Sequence, residues 1–204
     1  MVEHLLAKEK VASSSLVFRS RRRGQVVKAG VCKTPIGGSN PPVASTILLL
    51  SLAANLSAGL KGAYALLLHL PYAVELEVGR LGAVAFSSGY YVYLGSALGG
   101  LEARLCHHLR PAPKPRWHID YLRRFAHPVE VWLCPTSSNL ECLLYQTALG
   151  LGGAHRVVKG FGASDCRCWS HLVYFPGMPS FRRFERVVGK RGLRVERLGI
   201  ETDT

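Results

Sequence analysis

The sequence predicts an α+β domain: a small antiparallel or mixed β-sheet with an extra hairpin, flanked by helices. Three observations carry that prediction. Between residues 64 and 95 the apolar residues come in short strand-like runs separated by Pro71, Gly79, Gly82 and Gly89. From Leu98 the apolar period lengthens to three or four residues. Beyond that point helix-like and strand-like segments interleave as far as Phe175, and strands first with helices interleaved later is the order of an α+β fold.

Tyr64–Leu70 is an apolar run stopped by Pro71, which reads as a buried strand. Val74–Val78 alternates apolar and charged residues, as a half-buried strand does. Gly79-Arg80-Leu81-Gly82 is a turn, Ala83–Phe86 returns, and Tyr90–Gly95 is rich in aromatic strand formers. Together these pieces suggest an antiparallel meander. Leu98, Leu101, Leu105 and Leu109 then mark one amphipathic helix, with Gly99-Gly100 near its start and Pro111 and Pro113 after it. Trp117–Phe125 reads as a second helix and Val129–Leu133 as a strand. Ser138-Asn139-Leu140-Glu141 opens a third helix that runs through Leu149 and is closed by the glycines at 150, 152 and 153. His171–Phe175 is a last short strand, and the strongly basic stretch from Ser180 is expected to be peripheral. The division that follows is an extension over residues 1–59, a domain over 60–178 and a basic tail over 179–204.

The chain has 204 residues, room for one domain plus extensions. With 48% hydrophobic and 19% charged residues a packed core is feasible and wholesale disorder is excluded. Lys and Arg number 26 against 13 Asp and Glu, a formal charge of +13, so the field favours polyanions, nucleic acid first among them. From Leu60 onward the balance is still 18 basic to 11 acidic residues, so the domain itself is basic. The six Cys are irregularly spaced, which does not suit a disulfide scaffold and points to reduced thiols in a cytoplasmic protein.

Residues 1–59 have a different character. A basic patch (Arg19, Arg21, Arg22, Arg23) leads through a Gly/Pro-rich stretch to an apolar run at Val43–Leu60. A signal peptide or a membrane anchor would explain the run, but Ser, Asn and Gly dilute it and a long segment precedes it. A third explanation lies in the genetic code. Ala29–Pro35 can be encoded as GCN GGG GTC TGT AAA ACC CCT, in which GGGGT and ACCCC flank the loop CTGTAAA, as in a transfer-RNA anticodon arm. Gly37–Pro42 can be GGT GGT TCG AAT CCA CCN, a T arm, and Gly24–Lys28 matches a D-arm run. Three arms in order and frame imply that residues around Ser20–Ser45 are a translated transfer-RNA gene, with the true start among Leu48–Leu60. No membrane association is expected.

Gly62-Ala63-Tyr64 followed by Tyr93-Leu94-Gly95 resembles the two namesake triplets of the GIY-YIG endonucleases. Arg104 stands nine residues beyond Gly95, with His108 four later, and the pair matches that family's Arg-x-x-x-His helix. Glu141, at the start of a later helix, matches the family's metal-binding carboxylate. Tyr64 and Tyr93 are 29 residues apart, a longer gap than in many members. The hairpin Val74–Phe86 fills that gap and resembles the Uri-type branch, as do Trp117–Tyr121, Gly160–Cys166 and Ser170–Leu172.

The resemblance covers about Gly62–Phe175 and implies a metal-dependent endonuclease cutting DNA with one Mg²⁺ or Mn²⁺ ion held by Glu141. It makes Tyr64 the general base, supported by Tyr93 and His108, with Arg104 clamping the phosphate. Gly95, Ser96, His107, His118, Asp165 and His171 are the expected substrate contacts. Relatives in the Uri-type branch occur joined to a DNA-repair glycosylase domain, which implies a role in genome maintenance. The residue types suit the chemistry: a hard carboxylate for the ion, a planar guanidinium for the phosphate, and Tyr and His to move protons.

Plainer roles compete with these. Ser138 and Glu141 fit a capping box, Tyr64 and Tyr93 fit ordinary sheet aromatics, and Arg104 fits a solvated helix charge. A binding module that has lost catalysis is the rival function, opposed by the filling of every matched polar position. Asp165-Cys166-Arg167-Cys168-x-x-His171, with Cys134 or Cys142, is a conceivable zinc set. Its Cys-x-Cys spacing is uncommon and Trp169 crowds it, so a loop lining the substrate cleft is the expectation.

Overall fold

The computed structural model describes residues 59–110 and 114–200. The transfer-RNA-like segment, the apolar run and the start codons considered among Leu48–Leu60 lie outside the described residues, apart from the last two positions of that window. The elements are β1 (Gly62–Leu70), β2 (Val74–Glu77), a 3-10 turn (Gly79–Leu81), β3 (Ala83–Phe86), β4 (Gly89–Ala97), α1 (Leu101–Leu109) and α2 (His118–Leu122). They continue with β5 (His127–Pro135), α3 (Glu141–Leu149), β6 (His155–Arg156), β7 (Leu172–Phe175), α4 (Phe181–Gly189) and β8 (Glu196–Gly199).

The α+β class holds. One antiparallel sheet of six strands runs in the order β6-β7-β4-β1-β5-β8. β1 is central and is covered on both faces, which is why it reads as an unbroken apolar run instead of alternating. Its even residues Tyr64, Leu66, Leu68 and Leu70 join Leu101, Leu105 and Leu109 of α1 and Ile119 and Leu122 of α2 in one core. Its odd residues Ala63, Ala65 and Leu67 join Leu144, Tyr145 and Ala148 of α3 and Phe184 and Val188 of α4 in the other. Leu66 and Leu67 are wholly buried, each contributing about 1.5–3 kcal/mol of transfer free energy.

The strands do not form the meander expected from their order. β1 pairs with β4, while β2 and β3 form a separate two-stranded hairpin. Alternation in Val74–Val78 correctly marks a half-buried ribbon, but that ribbon lies over the α1/α2 core instead of extending the sheet. Val78, Val84 and Phe86 anchor it there, and Phe86 packs edge-on against Phe161. α1 starts later than the leucine pattern suggests, because Leu98 is exposed and Gly100 turns the chain at φ 128°. Leu101 N then bonds Leu60 O at 2.8 Å, tying the helix start to the entry of β1.

The basic C-terminal stretch is not a peripheral tail. In α4, Phe181, Phe184 and Val188 recur at helical spacing among the arginines, and Phe181 and Phe184 pack on Trp132. β8 completes the sheet by pairing with β5. Glu130, buried in β5, accepts from Trp132 Nε1 at 2.8 Å and is paired with Arg197 of β8. Among the described residues no helix is long and apolar enough to cross a membrane.

Candidate active site

Sheet register brings the two namesake tyrosines together. Tyr64 lies opposite Gly95 and Leu66 opposite Tyr93, so both rings rise from the same face as diagonal neighbours. Gly95 is required there: a Cβ would sit 2.5 Å from Tyr64 Cζ. Gly162 serves Tyr93 in the same way. Its φ of 69° suits glycine, and a Cβ would lie 2.8 Å from Tyr93 Cε2.

α1 presents Arg104 and His108 to this face from successive turns. The Tyr64 hydroxyl and His108 Nε2 share a buried hydrogen bond of 2.7 Å. Tyr93 meets the same imidazole edge-on, with ring centroids 5.8 Å apart. The Arg104 guanidinium lies 4.6 Å from the centroid of the Trp117 ring, and its charge bears on Tyr64.

Burial dominates the protonation states. It drives His108 down from 6.5 to about 3, against the pull of Asp120, so the ring is neutral at physiological pH. Burial raises both tyrosines well above their ordinary value, helped at Tyr64 by Tyr93 and Glu141 and at Tyr93 by Glu141 and the more distant Asp120 and Asp165. Arg104 opposes that rise for each. Both hydroxyls are therefore protonated at rest.

Glu141 is the first residue of α3, and its carboxylate turns back to the end of β4. Oε1 accepts from Ser96 N at 2.6 Å, and Oε2 lies 3.5 Å from His171 Nδ1. The expected capping box does not form. Asn139 Oδ1 accepts from Glu141 N at 3.2 Å and also receives the Ser96 hydroxyl at 3.2 Å, while Ser138 N bonds Thr136 Oγ1. Leu140 is the N-cap and carries no side-chain cap bond, Asn139 forms an Asx turn ahead of the helix, and the Glu141 carboxylate is left to Ser96 and His171. That carboxylate is 17% exposed, and no Lys or Arg among the described residues pairs with it. A partly open carboxylate is a hard oxygen donor of the type that suits Mg²⁺ or Mn²⁺, the rest of the coordination left to water and phosphate oxygens.

The remaining expected contacts take varied positions. His107 is turned from the tyrosines: its Nε2 lies 3.3 Å from both Asp120 oxygens and its ring meets Trp117 edge-on. His118 Nδ1 accepts from Gly162 N at 3.1 Å, which pins the loop that covers Tyr93. Asp165 is exposed on that loop and near enough to Tyr93 to raise its pKa. His171 is fully buried between Glu141 and the thiols of Cys142 and Cys166.

Two supporting residues escape the sequence reading. Trp117 is the platform for Arg104. Asp120, 3% exposed, accepts from Arg116 N at 2.8 Å and Trp117 N at 3.0 Å and so fixes that platform. Burial works against its charge, but these donors and His107 hold its carboxyl below the usual value. The segment Trp117–Tyr121 was the available signal: an acid three residues after a helix start is a capping residue.

A family model described as a domain of unknown function, DUF123, matches residues 63–192. No curated protein and no solved structure matches the chain. The matched range runs past the expected boundary at 178 and takes in α4. DUF123 is a GIY-YIG-like family, in keeping with the Gly62–Tyr64 and Tyr93–Gly95 triplets now seen side by side on the sheet. The chain belongs to the DUF123 family.

Proposed function

We propose that this protein is a metal-dependent endonuclease that hydrolyses DNA phosphodiester bonds. The observation that carries the proposal is the convergence of Tyr64, Tyr93, Arg104, His108 and Glu141, from two strands and two helices, around the buried Tyr64–His108 hydrogen bond. A desolvated tyrosine pair is costly to build merely to fill a sheet face, and perturbed groups with specific charge partners mark functional sites.

In this site Glu141 holds the ion, oriented by Ser96 N and His171. The ion, when bound, supplies charge neutralisation and activation of water. Arg104, braced on Trp117, clamps a phosphate oxygen with its planar fork. Cationic charge in the site would lower the Tyr64 pKa so that its hydroxyl proton leaves to solvent; the tyrosinate, held in position by neutral His108, would then take the proton of the attacking water. Tyr93, protonated at rest, supports the site as a hydrogen-bond donor. The excess of 18 basic over 11 acidic residues from Leu60 onward draws DNA to the surface. The β2–β3 hairpin and the Trp117–Tyr121 segment support assignment to the Uri-type branch, and with it a role in DNA repair or processing.

The test is incubation of the full chain with end-labelled single- and double-stranded DNA in Mg²⁺, in Mn²⁺ and in chelator. Cleavage with either ion and none in chelator supports the proposal. Binding without cleavage under every condition points instead to a nucleic-acid-binding module.

A further inference from the structure

We propose that Cys142, Cys166, Cys168 and His171 form a zinc site of the Cys₃His type, one residue along α3 from Glu141. Their four ligand atoms all lie within 4.8 Å of one another. Zinc bonds of about 2.3 Å to sulfur and about 2.0 Å to nitrogen put tetrahedral ligands roughly 3.3–3.9 Å apart. His171 Nε2 lies 3.4 Å from Cys166 Sγ and 3.9 Å from Cys142 Sγ, so these edges are already near the right length. Three soft thiolates and an imidazole select zinc over the hard ions suited to Glu141, and four protein ligands make the site closed and structural.

Two further observations point the same way. His171 is fully buried, and its Nδ1 lacks a hydrogen bond among the described residues, with the Glu141 carboxylate 3.5 Å away. Zinc on Nε2 places the ring proton on Nδ1, aimed at Glu141, which is the usual carboxylate partner of a metal-bound histidine. Cys168 N points at Cys166 Sγ at 3.4 Å, a backbone donor placed to support a thiolate. The four ligand atoms converge with Trp169 in the same loop, its ring carrying the Arg156 guanidinium 5.5 Å from its centroid. Cys134 is the wrong fourth partner: it lies on β5 opposite Ala63.

The site ties the loop before β7 to the first turn of α3 and, through His171, steadies Glu141. Zinc binding stands independently of the nuclease proposal; only the steadying of a metal-binding carboxylate rests on it.

The experiment measures metal content and the Co²⁺ spectrum of the full chain, purified without chelator. The expected result is about one zinc per chain, and in the cobalt form the intense visible bands of tetrahedral thiolate ligation. Cys166→Ser with Cys168→Ser should lower zinc at least about tenfold, whereas Cys134→Ala should keep it. Tyr64→Phe, which touches no zinc ligand, should keep zinc, so a loss of cleavage in that variant with zinc retained separates the two proposals. A folded chain without metal, zinc retained after both serine substitutions, or a disulfide among Cys142, Cys166 and Cys168 would overturn the site.

Discussion

The Tyr64 ring lies across the backbone of Gly95 on the neighbouring strand, in the space that a side chain at residue 95 would need. The hydroxyl thus reaches His108 on the helix above, and sequence spacing, strand register and site geometry meet at this pair.

Gly95→Ala should force the Tyr64 ring to move. A loss of about 1–3 kcal/mol in stability is expected from overpacking, with cleavage reduced more than tenfold. Gly99→Ala, where a Cβ meets nothing within 4 Å, is the control and should change neither. Denaturant midpoints and cleavage rates measured on both variants decide the point.

Tyr64→Phe removes one hydroxyl and strands His108 Nε2 in the core. The cost in stability should be about 1–3 kcal/mol, and the cleavage rate should fall about 10²–10⁴-fold if Tyr64 moves the proton. A rate unchanged in a folded Phe variant would remove Tyr64 as the base.

Acid should destabilise the fold through His108. Its folded-state pKa, about 3, lies below the ordinary 6.5, so the unfolded chain takes up this proton first. Stability from this residue is complete above about pH 6.5 and is lost as pH falls toward 3, on the order of 5 kcal/mol in all. His118, also lowered by burial, adds in the same direction. Unfolding free energies between pH 4 and 7 should slope upward with pH, and His108→Gln should flatten most of that slope.

Removing α4 and β8 should cost more than trimming a tail. A chain ending at Pro179 uncovers Trp132 and leaves Glu130 buried without Arg197. Arg197→Ala alone should lower stability by about 1–2 kcal/mol, since the arginine is half exposed. Thermal melts of the two variants should show a modest shift for the substitution and loss of cooperative unfolding for the truncation.

Much of the site was legible because local periodicity places its residues. An unbroken apolar run put Tyr64 on a strand, aromatic content did the same for Tyr93, and helical spacing put Arg104 and His108 on one face. What local pattern cannot give is long-range pairing. β1 bypasses the adjacent hairpin to join β4, and this choice decides that Tyr64 meets Gly95. The capping box read from Ser138 and Glu141 does not form, because the Glu141 carboxylate turns to Ser96 N on β4, a long-range partner that local pattern cannot show. α4 was hidden by its arginines, although Phe181, Phe184 and Val188 kept the helical period. Cys142 and Cys166 are distant in sequence, so only the packing of α3 beside the loop before β7 could choose Cys142 over Cys134.

Glu141 remains the most informative position. The direct measurement is the single-turnover cleavage rate of labelled DNA with Mn²⁺ for the full chain and for Glu141→Ala, with DNA binding followed in parallel. The account predicts cleavage by the native chain and a loss of at least about a hundredfold in the variant, at unchanged DNA affinity. Equal rates in the two proteins, or no cleavage by the native chain with either ion, would contradict it.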